Sequence, residues 1–130
     1  MSIAWSKEYE TGEPEIDKQH QQLFKYLADL EAHIDSGVTD DYMKQFLDYL
    51  GLYTRSHFVY EEITMRQKKC PIAKTNQEQH DKLLQAYTHY RERFEVEGVS
   101  ADLLNKLHAF LLSWLTNHIL KIDTNLKDYM

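Results

Sequence analysis

Two residue pairs in this chain share a one-turn helical spacing and a chemistry suited to metals. His57 and Glu61 are four residues apart, and so are Asn76 and His80 in the stretch "NQEQH". Residues at i and i+4 lie on one face of a helix, so each pair can present two donors to a common point. Imidazole and carboxylate are metal ligands; an asparagine amide is a weaker, neutral one. The chain holds seven histidines, so the question is whether they converge.

The elements that would position them are helices. Only 4 Gly and 2 Pro occur, too few for a turn-rich β fold. An N-terminal arm with Trp5 and Tyr9, closed by Pro14, is expected to pack against the body. The first helix is expected over about 16 to 36, with a stripe of Ile16, Leu23, Leu27, Leu30 and Ile34, ending at Gly37. The second spans about 40 to 68, capped by Asp40 or Asp41, and the "KKCP" stretch ends it. Its inward stripe reads Met43, Phe46, Leu50, Tyr53, His57, Glu61 and Thr64, and mid-helix Gly51 costs about 1 kcal/mol relative to Ala. The third covers about 74 to 96, with Asn76, His80, Leu83, Leu84, Tyr87 and Phe94 inward. The fourth, capped by Ser100, covers about 101 to 122 and carries Leu104, Leu107, Leu111, Leu115, His118 and Ile122. Four such segments with short links predict an all-α, up-down-up-down antiparallel four-helix bundle, one domain over residues 1–130.

On these stripes each helix contributes one inward histidine: His20, His57, His80 and His118. His20 and His80 are early in their helices, while His57 and His118 are late. Alternating helix direction brings all four to the same end of the bundle. His33, His89 and His108 fall beside the stripes and read as surface or boundary residues. Four buried imidazoles at one level are costly in an apolar interior without a partner, and a metal supplies one. Asp123 follows His118 by five residues, a rotation of about 140°, so it reaches the same centre only if the last turn loosens.

The totals exclude other classes. A formal net charge of −6 without a basic stripe argues against nucleic acid. No apolar run approaches the roughly 18 residues of a membrane span, and the start lacks the features of a secretion signal. With the single Cys70 no internal disulfide forms, and a cytoplasmic location is expected. Exposed tyrosines such as Tyr42, Tyr49 and Tyr129 do not by themselves define an oligomer.

Four imidazoles and two carboxylates exceed one tetrahedral zinc, and magnesium or calcium would want oxygen ligands. The set suits iron, manganese or zinc, and two carboxylate-bridged ions would use every ligand. No Glu-x-x-His occurs, which sets aside the ferritin-like di-iron proteins.

The stretches "GEPEIDKQHQQLF", "HFVYEE", "QHDKLL" and "WLTNHILKID", with the N-terminal "W...Y.TG" arm, resemble the hemerythrin family in its bacterial form. The resemblance covers nearly the whole chain. It implies a non-haem di-iron centre with an oxo or hydroxo bridge. His20 and His57 would bind one iron, His80 and His118 the other, and Glu61 and Asp123 would bridge them. It also implies O2 binding, in a pocket lined by Leu115 and Ile119 with Trp114 packed beside the centre. Other small ligands such as azide, NO or peroxide fit the same site. Plain core packing is the alternative role for those three residues.

One residue departs from the family pattern. Where the third helix usually carries His-x-x-x-His, this chain has Asn76. The resemblance leaves an O2-binding protein for sensing, storage or delivery as the first expectation. The second is a redox enzyme acting on peroxide or NO. The third is a sensory module cut from a larger protein with a signalling partner domain, since "CPIAKTN" resembles fused members of the family. Asn76 is expected to hydrogen-bond a water or anion in the vacated ligand position, with direct binding through its amide oxygen, or mere packing, as the alternatives.

Overall fold

A computed structural model describes residues 4–130 of the chain; the first three residues of the expected arm lie outside it. Four helices, α1 (Pro14–Ser36), α2 (Asp40–Gln67), α3 (Ala73–Glu97) and α4 (Ala101–Lys121), are flanked by short 3-10 segments at Lys7–Tyr9 and Asp123–Tyr129. The helix pairs α2/α3, α1/α4 and α1/α2 pack most closely, as an antiparallel bundle requires. Among the described residues no helix is long and apolar enough to cross a membrane.

Local chemistry sets the boundaries. Pro14 starts α1 at a position where its missing N–H costs nothing, and the Glu13 carboxylate accepts from the Ile16 N–H at 2.7 Å. Gly37 ends α1 in the left-handed region at φ 70°. Thr39, not Asp40 or Asp41, caps α2: its hydroxyl accepts from the Tyr42 N–H at 3.2 Å, which leaves both aspartates in the first turn, where they complement the helix dipole. Ser100 caps α4, as expected, by accepting from the Leu103 N–H. The arm is tied down by Thr11, whose N–H and hydroxyl both donate to Asp17 at 2.8 Å. Tyr9 is buried against Phe24.

The buried face of α2 differs from the expected stripe. Leu47, Gly51, Phe58 and Met65 point inward, while Phe46, Tyr53 and Thr64 are only half-buried. Gly51 earns its place by contact. A Cβ there would meet the Tyr87 ring at 3.0 Å, and that ring lies across α2 so that its hydroxyl donates to the Leu47 carbonyl at 2.5 Å. His108 is likewise more buried than expected; its Nε2 lies 3.1 Å from the Leu27 carbonyl, where a ring N–H donates.

The core has two parts. The larger fills most of the bundle and includes Leu27, Leu30, Leu47, Phe94 and Leu107. A smaller plug of Ile16, Met65, Cys70, Ile122 and Leu126 closes one end. Between the two lies a layer of buried polar side chains.

Candidate metal centre

That layer contains all six expected ligands. His20, His57, Glu61, His80, His118 and Asp123 are at most 4% exposed. Alternating helix direction brings the four imidazoles to one level, early in α1 and α3 and late in α2 and α4. Asp123 joins them because α4 stops at Lys121; Ile122 adopts φ −113°, and the chain continues as a 3-10 segment from Asp123. The break at Ile122, rather than a looser α turn, re-aims the chain so that the Asp123 carboxylate faces His118 and His20.

The donors form two overlapping groups: His20, His57 and Glu61, and Glu61, His80, His118 and Asp123. Within each, one ligand atom per residue lies within 4.8 Å of all the others. Each carboxylate divides its oxygens between the two histidine pairs. Glu61 Oε2 is 3.1 Å from His20 Nε2 and 3.4 Å from His57 Nε2, while its Oε1 is 3.1 Å from His80 Nε2. Asp123 Oδ2 is 3.1 Å from His20 Nε2, and its Oδ1 is 3.1 Å from His118 Nε2.

Three of the four rings are held from behind. His57 Nδ1 is 2.6 Å from Gln19 Oε1, His80 Nδ1 is 2.8 Å from Glu62 Oε2, and His118 Nδ1 is 2.8 Å from Gln79 Oε1. With the Nδ1 proton donated outward, the Nε2 lone pair is directed at the centre, as a metal-binding imidazole requires. Nothing in the spacing of the ligands pointed to these three acceptors. Their only sequence signal is adjacency: each sits beside a ligand (His20, Glu61 or His80) yet anchors a histidine on another helix. Phe58, also not anticipated, stacks on His80 with centroids 3.6 Å apart.

The polar layer is incompletely satisfied by protein alone. Glu61 Oε1, Asp123 Oδ1, His20 Nδ1 and Asn76 Nδ2 are buried and accept or donate no hydrogen bond of good geometry. His80 Nε2 and His118 Nε2 face each other at 3.1 Å; since Nδ1 of both rings has an acceptor, the two Nε2 atoms point at one volume that a cation would fill. Burial lowers the His20 pKa, but hydrogen bonds to Asp123 and Glu61 outweigh it and push it up to about 10. Burial likewise opposes, and Glu61 and Glu62 overcome, a rise at His80 to about 9. His57, where burial dominates, is lowered. Burial alone would raise Glu61, yet the charge of His57 and hydrogen bonds from His20, His57 and His80 hold it well below the usual carboxylate range. Imidazole lone pairs and paired carboxylates directed at one dry volume suit one or two borderline transition-metal ions.

Asn76 is fully buried in the same layer, with Oδ1 2.8 Å from His118 Nε2. Trp114 is half-buried and stacks on His118, centroids 4.3 Å apart. Leu115 and Trp114 border a small apolar cavity of about 30 Å³ that also touches Leu23, Phe58 and Leu83. Ile119 is fully buried but does not line that cavity.

The model of the hemerythrin HHE cation binding domain matches residues 11–130. The chain belongs to the hemerythrin family. It is 32% identical to a bacteriohemerythrin of Methylococcus capsulatus, over 93% of this chain and 91% of that protein. A bacteriohemerythrin of Pseudomonas aeruginosa is 26% identical, over 97% and 80%. A myohemerythrin of Riftia pachyptila is 30% identical, over 95% and 89%. The hemerythrin match therefore spans all four helices and all six buried donors.

Proposed function

We propose that this chain is a single hemerythrin domain that holds two iron ions and binds O2. His20 and His57 would hold one ion, His80 and His118 the other, with Glu61 and Asp123 shared between them. The observation that carries this reading is the division of each buried carboxylate between the two histidine pairs, an arrangement suited to two ions and wasteful for one. A reduced iron pair supplies the electrons for reversible O2 binding; the side chains do the rest. Gln19, Glu62 and Gln79 orient the imidazoles. The end plug and the Leu115–Phe58 cavity keep bulk water from the centre while leaving room for a small apolar molecule. Exposing the anaerobically reduced, iron-loaded protein to O2 should produce a visible charge-transfer absorption that disappears when O2 is removed. A spectrum that does not change, or that never reverses, contradicts O2 binding.

A second reading follows from Asn76. Its buried amide Nδ2 has no partner, which supports a hydrogen bond to a small solvent molecule or anion beside the His80/His118 position. An exchangeable position there would let the centre react with peroxide or NO. Steady turnover of peroxide or NO that is lost in Asn76→His supports this reading, and equal rates in the two proteins rule it out.

A further inference from the structure

The outward face of α2 is apolar where a bundle helix should be charged. Among the described residues, six of the ten exposed large hydrophobic side chains lie on this helix: Tyr42, Tyr49, Leu52, Val59, Tyr60 and Ile63, between 38% and 66% exposed. They are not scattered. At 100° per residue, Tyr49, Leu52, Ser56, Val59, Tyr60 and Ile63 fall within an arc of about 100°, directly behind the face that carries Leu47, Phe58 and Met65. That arc holds no charge from Tyr42 to Gln67, whereas Asp48, Arg55 and Arg66 sit just outside it. Charge depletion with aromatic enrichment marks the centre of an interface.

The stripe is also symmetric about exposed Ser56. Seven residues to either side stand Tyr49 and Ile63; four to either side, Leu52 and Tyr60; three to either side, Tyr53 and Val59. Eleven to either side, the stripe ends in Gln45 and Gln67. We infer that α2 packs antiparallel against α2 of a second copy, on a two-fold axis through Ser56. This arrangement places apolar opposite apolar at every level, glutamine opposite glutamine at both ends, and the smallest side chain where the helices approach closest. An isologous contact demands this kind of self-complementarity, and an unrelated partner does not. At roughly 100 Å² per side chain the five exposed apolar residues of the stripe, Tyr49, Leu52, Val59, Tyr60 and Ile63, offer about 500 Å² per copy, within the range that monomers leave exposed. Two copies would bury about 1,000 Å², at the threshold for a biological interface and below the standard range, so the dimer is weak and concentration-dependent.

Cysteine cross-linking of the full-length, iron-loaded protein tests both the contact and its direction. Native Cys70 is buried and stays silent. Ser56→Cys should form a covalent dimer under mild oxidation. Gln45→Cys alone should not, because its counterpart on the other copy is about 33 Å away along the helix, but mixed with Gln67→Cys it should. Leu52→Lys with Ile63→Lys, both exposed and off the metal face, should sediment as a monomer with unchanged iron content. A wild-type protein that sediments as a monomer at several hundred micromolar overturns the inference. So does Gln45→Cys cross-linking as readily as Ser56→Cys, or a dimer that survives the two lysines.

Discussion

Helix α4 buries two histidines, and they live in different chemistry. His108 sits in the hydrocarbon half of the bundle, where one ring nitrogen meets the Leu27 carbonyl and the buried residues one turn to either side on α4 are Leu104 and Leu111. His118, at the other end, has Gln79 behind it and a carboxylate, an imidazole and an amide in front. Both are buried, and both lie on the same helix. Burial therefore does not distinguish a structural histidine from a candidate ligand; the number of polar groups that share its open nitrogen does. In one half of the bundle each buried histidine meets its partner within the protein, while in the other Glu61 Oε1, Asp123 Oδ1 and His20 Nδ1 lack a hydrogen-bond partner that a bound cation would offset. Stability should depend mainly on the first half and metal content on the second.

The largest separation of the two halves should come from Glu61→Ala. Removing the carboxylate that touches three imidazoles should abolish stable binding of both irons, measured as iron per chain after anaerobic loading, while the helical circular dichroism persists. The converse is Phe94→Ala in the hydrocarbon half. Emptying that fully buried site should cost about 3–5 kcal/mol in denaturant unfolding, with the folded fraction still loading its full iron complement. Gln79→Ala is gentler: His118 keeps its place but loses the acceptor that fixes its tautomer, so metal affinity in chelator competition should fall about 10–100-fold.

Acidity probes the same division. In the metal-free protein His20 and His80 are raised from 6.5 to about 10 and about 9. A raised folded pKa gives stability that is complete below about 6.5 and lost as pH climbs through 9 to 10. Metal must displace those protons, so its binding strengthens over the same interval. The difference in Tm between loaded and metal-free protein should widen as pH rises from 6.5 toward 9, and loading at neutral pH in weak buffer should release protons. A Tm difference that narrows would place the protonated groups elsewhere. The smallest effect is expected from His108→Leu, at about 1 kcal/mol of stability for one lost hydrogen bond, with iron content unchanged.

Much of this contrast is legible in the amino-acid sequence. The inward histidines could be read because each lies in register with a leucine stripe, and their common level follows from chain direction alone. The buried face of α2 was harder to place. Steps of seven from Met43 through Leu50 and His57 to Thr64 drift about 20° per repeat on a 3.6-residue helix. The core-facing residues accordingly shift to Leu47, Phe58 and Met65. Asp123 is not readable from helical spacing because its position depends on the break in α4 at Ile122; the family resemblance implies it. Gln19, Glu62 and Gln79 were invisible because each acts on a neighbouring helix, so no periodicity within one segment encodes them. His108 reads as peripheral from the stripe alone, since its partner is a backbone carbonyl, which carries no sequence signature.

The claim that two cations close the polar half of the bundle is tested most directly by counting iron. Protein loaded anaerobically with excess Fe(II) and freed of unbound metal should retain two irons per chain, each histidine pair holding one. One iron per chain, with all four histidines required to hold it, would mean that the divided carboxylates do not serve two ions, and would contradict the account.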